Sequence, residues 1–438
     1  MVYHFLKTLV SVVLPVFYKR VQAKNLHYLK AKGPVIIAMN HPNAFADPIY
    51  LTYLAYPTRL NYLARGDVFK PGFASYMLEK IGIIPIFRVR DGGKEGLKKN
   101  DESYLIVNKL LAKKGKIMVF AEGLCIQERR LRPLKKGVAR MVFGAFEAIN
   151  DENLMVIPVG VNYSQPDKFR STLFYNIGEP ILVKDFIEEY KVNVAKAQNR
   201  FLQHLEPRMK TLITHINDTE NDVLVFQVEE LMKRDLLKKQ GLCYKKLEDD
   251  FKVLQEITEK VNTASEKQPE LLQEIKPLLT HYFDALEKNG LKDWLVNPLF
   301  SNQITYLNLS FRVVLLFLGF PLYALGFMFN YIPLISSHLI TLKMIKNREF
   351  YSSFAVGIGM LLFWINYSVL FFITAHYSPN PLWPILICSV FILCGIFSLY
   401  YHPFVKKTKG LFRVLRNKSL NSQLKHQREN IVSLINKF

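Results

Sequence analysis

The chain has 438 residues, 50% of them hydrophobic, and a formal net charge of +21. Half the residues being apolar, with 32 Phe and 22 Tyr, excludes a disordered or collagen-like chain. Four Cys without short Cys-x-x-Cys or Cys/His spacing argue against a disulfide framework and a zinc site, and the basic excess points to an anionic partner: nucleic acid, a membrane surface or a phosphorylated substrate.

Residues 1–18 are apolar apart from Lys7. They are short for a bilayer span and lack the basic start and small-residue cleavage site of a secretory signal. An N-terminal membrane-interfacial helix over 1–24 is expected, with Lys19, Arg20 and Lys24 at the head groups.

Residues 25–215 form the second region. Short apolar runs at 33–39, 59–64, 82–88, 116–121, 154–162 and 172–177 read as strands. Helical patterns fall between them at 69–80, 95–114 and 137–149. This alternation predicts an α/β fold with a mixed, largely parallel sheet flanked by helices.

Residues 216–300 hold 17 acids against 12 bases and predict amphipathic helices broken near Gly241, Pro269, Pro277 and Gly290. Residues 301–405 form a membrane region. No Asp, Glu, Lys or Arg occurs from 313 to 342 or from 350 to 405, and about 20 apolar residues suffice to span a bilayer. The stretches 351–375 and 382–402 read as C-terminal transmembrane helices. The stretch 311–335, with Pro321, Pro333, Gly319 and Gly326, reads as re-entrant or a broken hairpin. That arrangement puts all basic segments on one side, as the positive-inside tendency prefers. Residues 406–438 hold nine bases and one acid and read as a basic cytoplasmic tail. Anionic lipid explains that tail more simply than nucleic acid, because it directly follows a hydrophobic span.

Four clusters carry chemical side chains. Asn40-His41-Pro42-Asn43-Ala44-Phe45-Ala46-Asp47 follows the strand 33–39. A neutral His takes a proton from a hydroxyl, and a carboxylate on its other nitrogen fixes the tautomer. On an ideal helix six residues put two side chains about 240° apart, so His41 and Asp47 meet only if the chain from Pro42 to Ala46 is irregular. A turn with a capping Asp is the plainer alternative. The other clusters are Phe120-Ala121-Glu122-Gly123, Gly82 to Arg88 and Val156 to Asn162. Arg suits bidentate phosphate binding, yet a strand-end Arg or Glu is commonly a solvated ion-pair group.

In this order and spacing the clusters resemble the four sequence blocks of the glycerolipid acyltransferase family, over about residues 30–185. The segment from Phe120 to Ile181 (FAEGLCIQERRLRPLKKGVARMVFGAF … VIPVGVNYSQPDKFRSTLFYNIGEPI) is most similar to the glycerol-3-phosphate and dihydroxyacetone-phosphate acyltransferase branch. The resemblance implies His41 as general base and Asp47 as its orienting carboxylate. It implies Arg88 on the acceptor phosphate, Glu122 and Gly123 around the acceptor, and Pro158 on the acyl-donor side. Lys135, Lys136 and Arg140 could contact the phosphates of a coenzyme A or carrier-protein arm, or rest on lipid. The implied activity is transfer of a fatty acyl group from acyl-CoA or acyl carrier protein to glycerol 3-phosphate or a lysophospholipid such as lysophosphatidate. No cofactor, metal or nucleic acid is expected. The implied place is an integral membrane one, the site facing the cytoplasm from a bacterial inner membrane or the endoplasmic reticulum. A remodelling acyltransferase or transacylase and a decayed, non-catalytic scaffold are the alternatives.

Three departures stand out. Five residues separate His41 from Asp47 where most of the family has four. Ala121 replaces a usual Pro. Leu124 to Glu128 replaces Gly-Ser-His-Asp, which puts Cys125 beside the site, either as a reactive thiol or as a small buried residue.

Overall fold

A computed structural model of the chain describes residues 2–66, 69, 72–87, 89–301, 305–380 and 382–437. It contains two compact units: residues 1–215 with 347–353, and residues 216–346 with 354–438.

The first unit opens with helix α1 (Val2–Phe17) and is built on eight strands: β1 (Arg20–Lys24), β2 (Val35–Met39), β3 (Leu60–Arg65), β4 (Ile83–Ile86), β5 (Lys116–Phe120), β6 (Met155–Tyr163), β7 (Thr172–Ile177) and β8 (Ile181–Leu182). They form one sheet in the order β1-β7-β6-β2-β5-β3-β4, with β8 beside β6. Among the described residues, only the β6–β7 and β6–β8 pairings are antiparallel. The sheet is therefore mixed and largely parallel, flanked by α2 (Ala46–Leu54), α3 (Phe73–Lys80), α4 (Val89–Ala112), α5 (Lys136–Ile149), α6 (Ile187–Val192) and α7 (Val194–Lys210).

Every residue of β2 is buried, so neither face of this central strand meets water. That is why it reads as an unbroken apolar run rather than an alternating one. On one face Ile36, Ala38, Ile117, Val119 and Val156 pack with Val107 and Leu111 of α4, Val142 and Phe143 of α5, and Phe201 and Leu205 of α7.

β1 corrects the expected helix over 1–24, which ends at Phe17. The half-buried RVQAK segment pairs in parallel with β7, from Arg20 opposite Thr172 to Lys24 opposite Asn176. Its Arg, Gln and Lys suit a sheet edge, where polar side chains stay wet.

The second unit contains α8 (Asp222–Lys239), α9 (Leu247–Lys267), α10 (Pro269–Lys288), α11 (Asp293–Val296), α12 (Pro298–Ser301), α13 (Tyr306–Met344), the body of α14 (Arg348–Tyr377), α15 (Leu382–Arg416) and α16 (Lys418–Ile435). Gly241 and Gly290 have positive φ just past the ends of α8 and α10, where glycine meets the least steric cost. Pro269 starts α10, whereas Pro277 lies inside it and breaks nothing.

Helices α13, α14 and α15 are each long and apolar enough to cross a membrane. Of the two expectations for 311–335, re-entrant or broken hairpin, the break does not occur: α13 continues through Pro321 and Pro333 for 39 residues. A proline removes one backbone hydrogen bond, and close packing offsets that loss in a long apolar helix. Gly326 provides such packing, since a Cβ there would stand 2.1 Å from the Cys394 carbonyl oxygen of α15. Asn330 donates to the Phe391 carbonyl at 3.3 Å and accepts from the Tyr367 hydroxyl at 2.7 Å.

The basic stretch 406–438 is packed rather than extended. α16 buries Leu424, Ile431, Leu434 and Ile435 in the core made by α8, α9, α10 and α11. Its Arg428 is buried and donates to Asp293 at 2.9 Å, to Asp235 at 2.8 Å and to the Leu231 carbonyl at 2.7 Å. A buried guanidinium needs this degree of pairing.

Candidate active site

The parallel register sets Met39 of β2 beside Phe120 of β5 and Val159 of β6. The residues that follow β2 and β5 therefore emerge side by side at the carboxyl end of the sheet, the usual position for reactive groups in such folds. Asn40 anchors the exit from β2. Its side chain accepts from Val161 N–H at 2.7 Å and donates to Val161 C=O at 3.2 Å, extending the ladder by one step.

Residues 41–45 are irregular, and α2 begins at Ala46. This departure from helix lets His41 and Asp47 meet, with Nδ1 of His41 2.9 Å from Oδ2 of Asp47. The imidazole stacks on Phe120, with ring centres 3.6 Å apart and planes 16° from parallel. Asp47 does not serve as a simple helix cap. Oδ2 also accepts from Asn43 N–H at 2.8 Å, and Oδ1 accepts from the Tyr163 hydroxyl at 2.7 Å. The Tyr175 hydroxyl donates to the Asp47 backbone carbonyl at 2.8 Å. Full burial pushes the Asp47 carboxyl up from its ordinary value, while the donors from His41, Tyr163 and Asn43 pull it back.

Glu122 is buried two residues past β5 and accepts from Arg132 N–H at 3.2 Å. Burial pushes its carboxyl up to about 7, opposed by the backbone N–H groups of Arg132 and His41. Gly123 has φ of 64°, and a Cβ there would come within 3.2 Å of Lys135, so the turn needs glycine. The Ile126 N–H donates to the His41 carbonyl at 3.1 Å, tying the loop after Gly123 to the histidine. Cys125 Sγ accepts from the Ala44 N–H at 3.1 Å, and burial pushes its thiol well above the ordinary range. A thiol so held is a poor nucleophile.

The remaining expected residues are dispersed. Lys135 and Lys136 are exposed at the start of α5, where the Lys135 N–H donates to the Ala121 carbonyl at 2.9 Å, and Arg140 is exposed one turn further on. Pro158 is buried inside β6 opposite Ala38, short of the strand ends that carry His41 and Glu122. Its carbonyl accepts from Gly178 N–H at 2.9 Å. Arg88 lies outside the described residues. Among the described residues no cluster of three or more His, Cys, Asp or Glu is placed to hold a metal.

Sequence reasoning passed over Tyr163, Tyr175 and the anchoring use of Asn40 and Asn43. Asn43 lay inside the quoted cluster. The two tyrosines carried no local signal, because each sits more than a hundred residues from Asp47 along the chain.

Known proteins share this stretch. Residues 20–162 match the family model described as Acyltransferase. A glycerol-3-phosphate O-acyltransferase of Saccharomyces cerevisiae is 23% identical over 238 residues, covering 52% of this chain and 30% of that protein. A second such enzyme of the same yeast is 38% identical over 81 residues, covering 18% of this chain and 11% of that one. The chain thus matches less than a third of either relative. Among solved structures, the 1-acyl-sn-glycerophosphate acyltransferase of Thermotoga maritima aligns with a TM-score of 0.31 and 17% identity, over 47% of this chain and 80% of that one. Residues 20–162, which carry His41, Asp47, Glu122, Gly123 and Pro158, are an Acyltransferase-family domain.

Proposed function

We propose that the protein is a membrane-bound O-acyltransferase of phospholipid biosynthesis. It moves a fatty acyl group from acyl-CoA or acyl carrier protein to a hydroxyl of glycerol 3-phosphate or lysophosphatidate. The observation that carries this reading is the His41–Asp47 contact at 2.9 Å, with Asp47 fully buried and further held by Tyr163 and Asn43. The yeast relatives and the matched family support the substrate class.

With Nδ1 engaged by Asp47, Nε2 of His41 is the nitrogen that accepts a proton. It takes the proton of the acceptor hydroxyl as the oxygen attacks the thioester carbonyl. The carbon–sulfur bond then breaks, and the imidazolium returns the proton to the departing thiolate. Asp47 stabilises the imidazolium between these steps. Glu122 and Gly123 shape the acceptor pocket, and Arg88 binds the acceptor phosphate. Lys135 and Lys136 meet the donor's phosphates, with Pro158 on the donor side of the sheet. Base, orienting carboxylate and phosphate anchor suffice for this chemistry, so no resident cofactor is required. The site faces the cytoplasm, where a soluble donor reaches a lipid surface.

The test is acyl transfer by purified protein in lipid, with acyl-CoA and acyl carrier protein each offered to a panel of acceptors. His41→Ala lowers turnover by about 10²- to 10⁴-fold, the usual contribution of a general base. Near-normal turnover of that variant refutes the mechanism. Preference for lysophospholipids with large head groups identifies a remodelling enzyme instead. Absence of any transfer identifies a scaffold, to which the altered segment Leu124 to Glu128 would belong.

A further inference from the structure

Seven residues from a distant part of the chain, Asn347–Ser353, belong to the first unit. All but the first lie in the opening turns of α14, a helix long and apolar enough to cross a membrane. They meet both loops of the candidate site. Ser352 Oγ donates to Asn43 Oδ1 at 2.6 Å. The Phe350 ring meets the Phe45 ring edge-on, 6.1 Å between centres. The Arg348 carbonyl accepts from Gln127 Nε2 at 3.0 Å.

The Ser352 bond is buried at both ends, with Ser352 1% exposed and Asn43 not at all. The direction of the Asn43 amide follows from its other partners, of which the Tyr18 hydroxyl lies 3.5 Å from Nδ2. Nδ2 donates to the Pro166 carbonyl at 3.0 Å, which leaves Oδ1 as the acceptor facing Ser352. Asn43 in turn gives its backbone N–H to Asp47 Oδ2, the same oxygen that meets His41. One line of hydrogen bonds thus runs from Ser352 through Asn43 and Asp47 to His41. Its first member lies beyond residues 20–162, the stretch that matches the acyltransferase family.

We propose that the start of α14 completes the active site, and that Ser352 is a positioning residue for the His41–Asp47 pair. This rests on the general-base reading above. Ser352 touches no reacting atom. It fixes the Asn43 side chain, and with it the turn whose backbone N–H aims the Asp47 carboxylate. Without the hydroxyl, Asn43 Oδ1 is a buried acceptor without a donor, and the turn relaxes to recover one. The His41 imidazole then spends less time aligned on the acceptor hydroxyl, while substrate contacts persist. The chemical step slows and binding does not.

The experiment compares the wild type with Ser352→Ala, Ser352→Thr and His41→Ala, reading kcat, KM for both substrates and the melting temperature. The expected result for Ser352→Ala is a kcat on the order of tenfold lower at a temperature where both proteins are fully folded, with KM unchanged and the melting temperature only a few degrees lower. Ser352→Thr, which keeps the hydroxyl, recovers most of the loss. Two results overturn the proposal: Ser352→Ala at wild-type kcat, or a loss that follows the melting temperature and is not recovered by Thr. The His41→Ala arm separates the two ideas. If His41→Ala is inactive and Ser352→Ala is not, only the positioning role fails. If His41→Ala stays active, the general-base reading fails and takes this proposal with it.

Discussion

Glu122→Gln is the most quantitative test of the site. The carboxyl is 6% exposed, and its proton affinity moves from an ordinary value of 4.5 to about 7, chiefly through burial. The folded protein therefore holds this proton more tightly than the unfolded chain. The associated stability is complete below pH 4.5, and it is lost as pH rises through 7. At about 1.4 kcal/mol for each tenfold change in affinity, the loss between those limits is about 3 kcal/mol. Gln keeps an oxygen for the Arg132 N–H and has no proton to lose. In thermal unfolding in detergent at pH 5 and pH 8, the wild type should lose markedly more stability than the variant between the two. Other titrating groups, Asp47 among them, contribute equally to both proteins and cancel in the comparison. Parallel pH dependences in the two proteins would refute the claim that Glu122 is desolvated.

Further expectations follow from single contacts. Tyr163→Phe removes the hydroxyl that donates to Asp47 at 2.7 Å. A hydrogen bond to a charged group contributes about 1.5–3 kcal/mol, so kcat should fall by about one to two orders of magnitude in steady-state acyl transfer. Gly160→Ala places a Cβ 2.1 Å from the Leu212 carbonyl oxygen. Backbone cannot swing aside as a side chain does, so the unfolding free energy should drop by about 1–3 kcal/mol in a denaturant titration. An unchanged midpoint there would mean that β6 and the end of α7 are not packed as described.

The parts of the fold that were legible are those whose local pattern and tertiary role coincide. β2, β5 and β6 are central strands buried on both faces, and their apolar runs say so directly. β1 was hidden because a half-buried edge strand made of Arg, Val, Gln, Ala and Lys has no such run. α13 was misread because Pro321 and Pro333 signal a break only when the surroundings do not compensate, and the packing of Gly326 on α15 is absent from local sequence. At the site, His41 and Asp47 were legible because they lie only six positions apart and head the series of clusters that resembles the acyltransferase family. Tyr163 and Ser352 reach the same pair from 116 and 309 residues away from their partners, distances that no spacing argument covers. Pro158 was expected from the family resemblance and Lys135 from its place after the Glu122 block, and neither signal says where in a strand or on which surface a residue falls.

The burial of α16 has a topological consequence. It shares one hydrophobic core with α8, α9, α10 and α11, and Arg428 is bonded to Asp235 and Asp293 within that core. A bilayer cannot pass through the middle of a packed core. The chain that leaves this core after residue 301 and rejoins it at Leu411 must return to the leaflet from which it departed. Crossings by α13, α14 and α15 must then be even in number, although three helices are long enough to cross. At 39 residues α13 is about 58 Å long, against a hydrocarbon thickness of about 30 Å. A helix of that length has room to enter and run obliquely rather than traverse, so two crossings are compatible with three long apolar helices among the described residues.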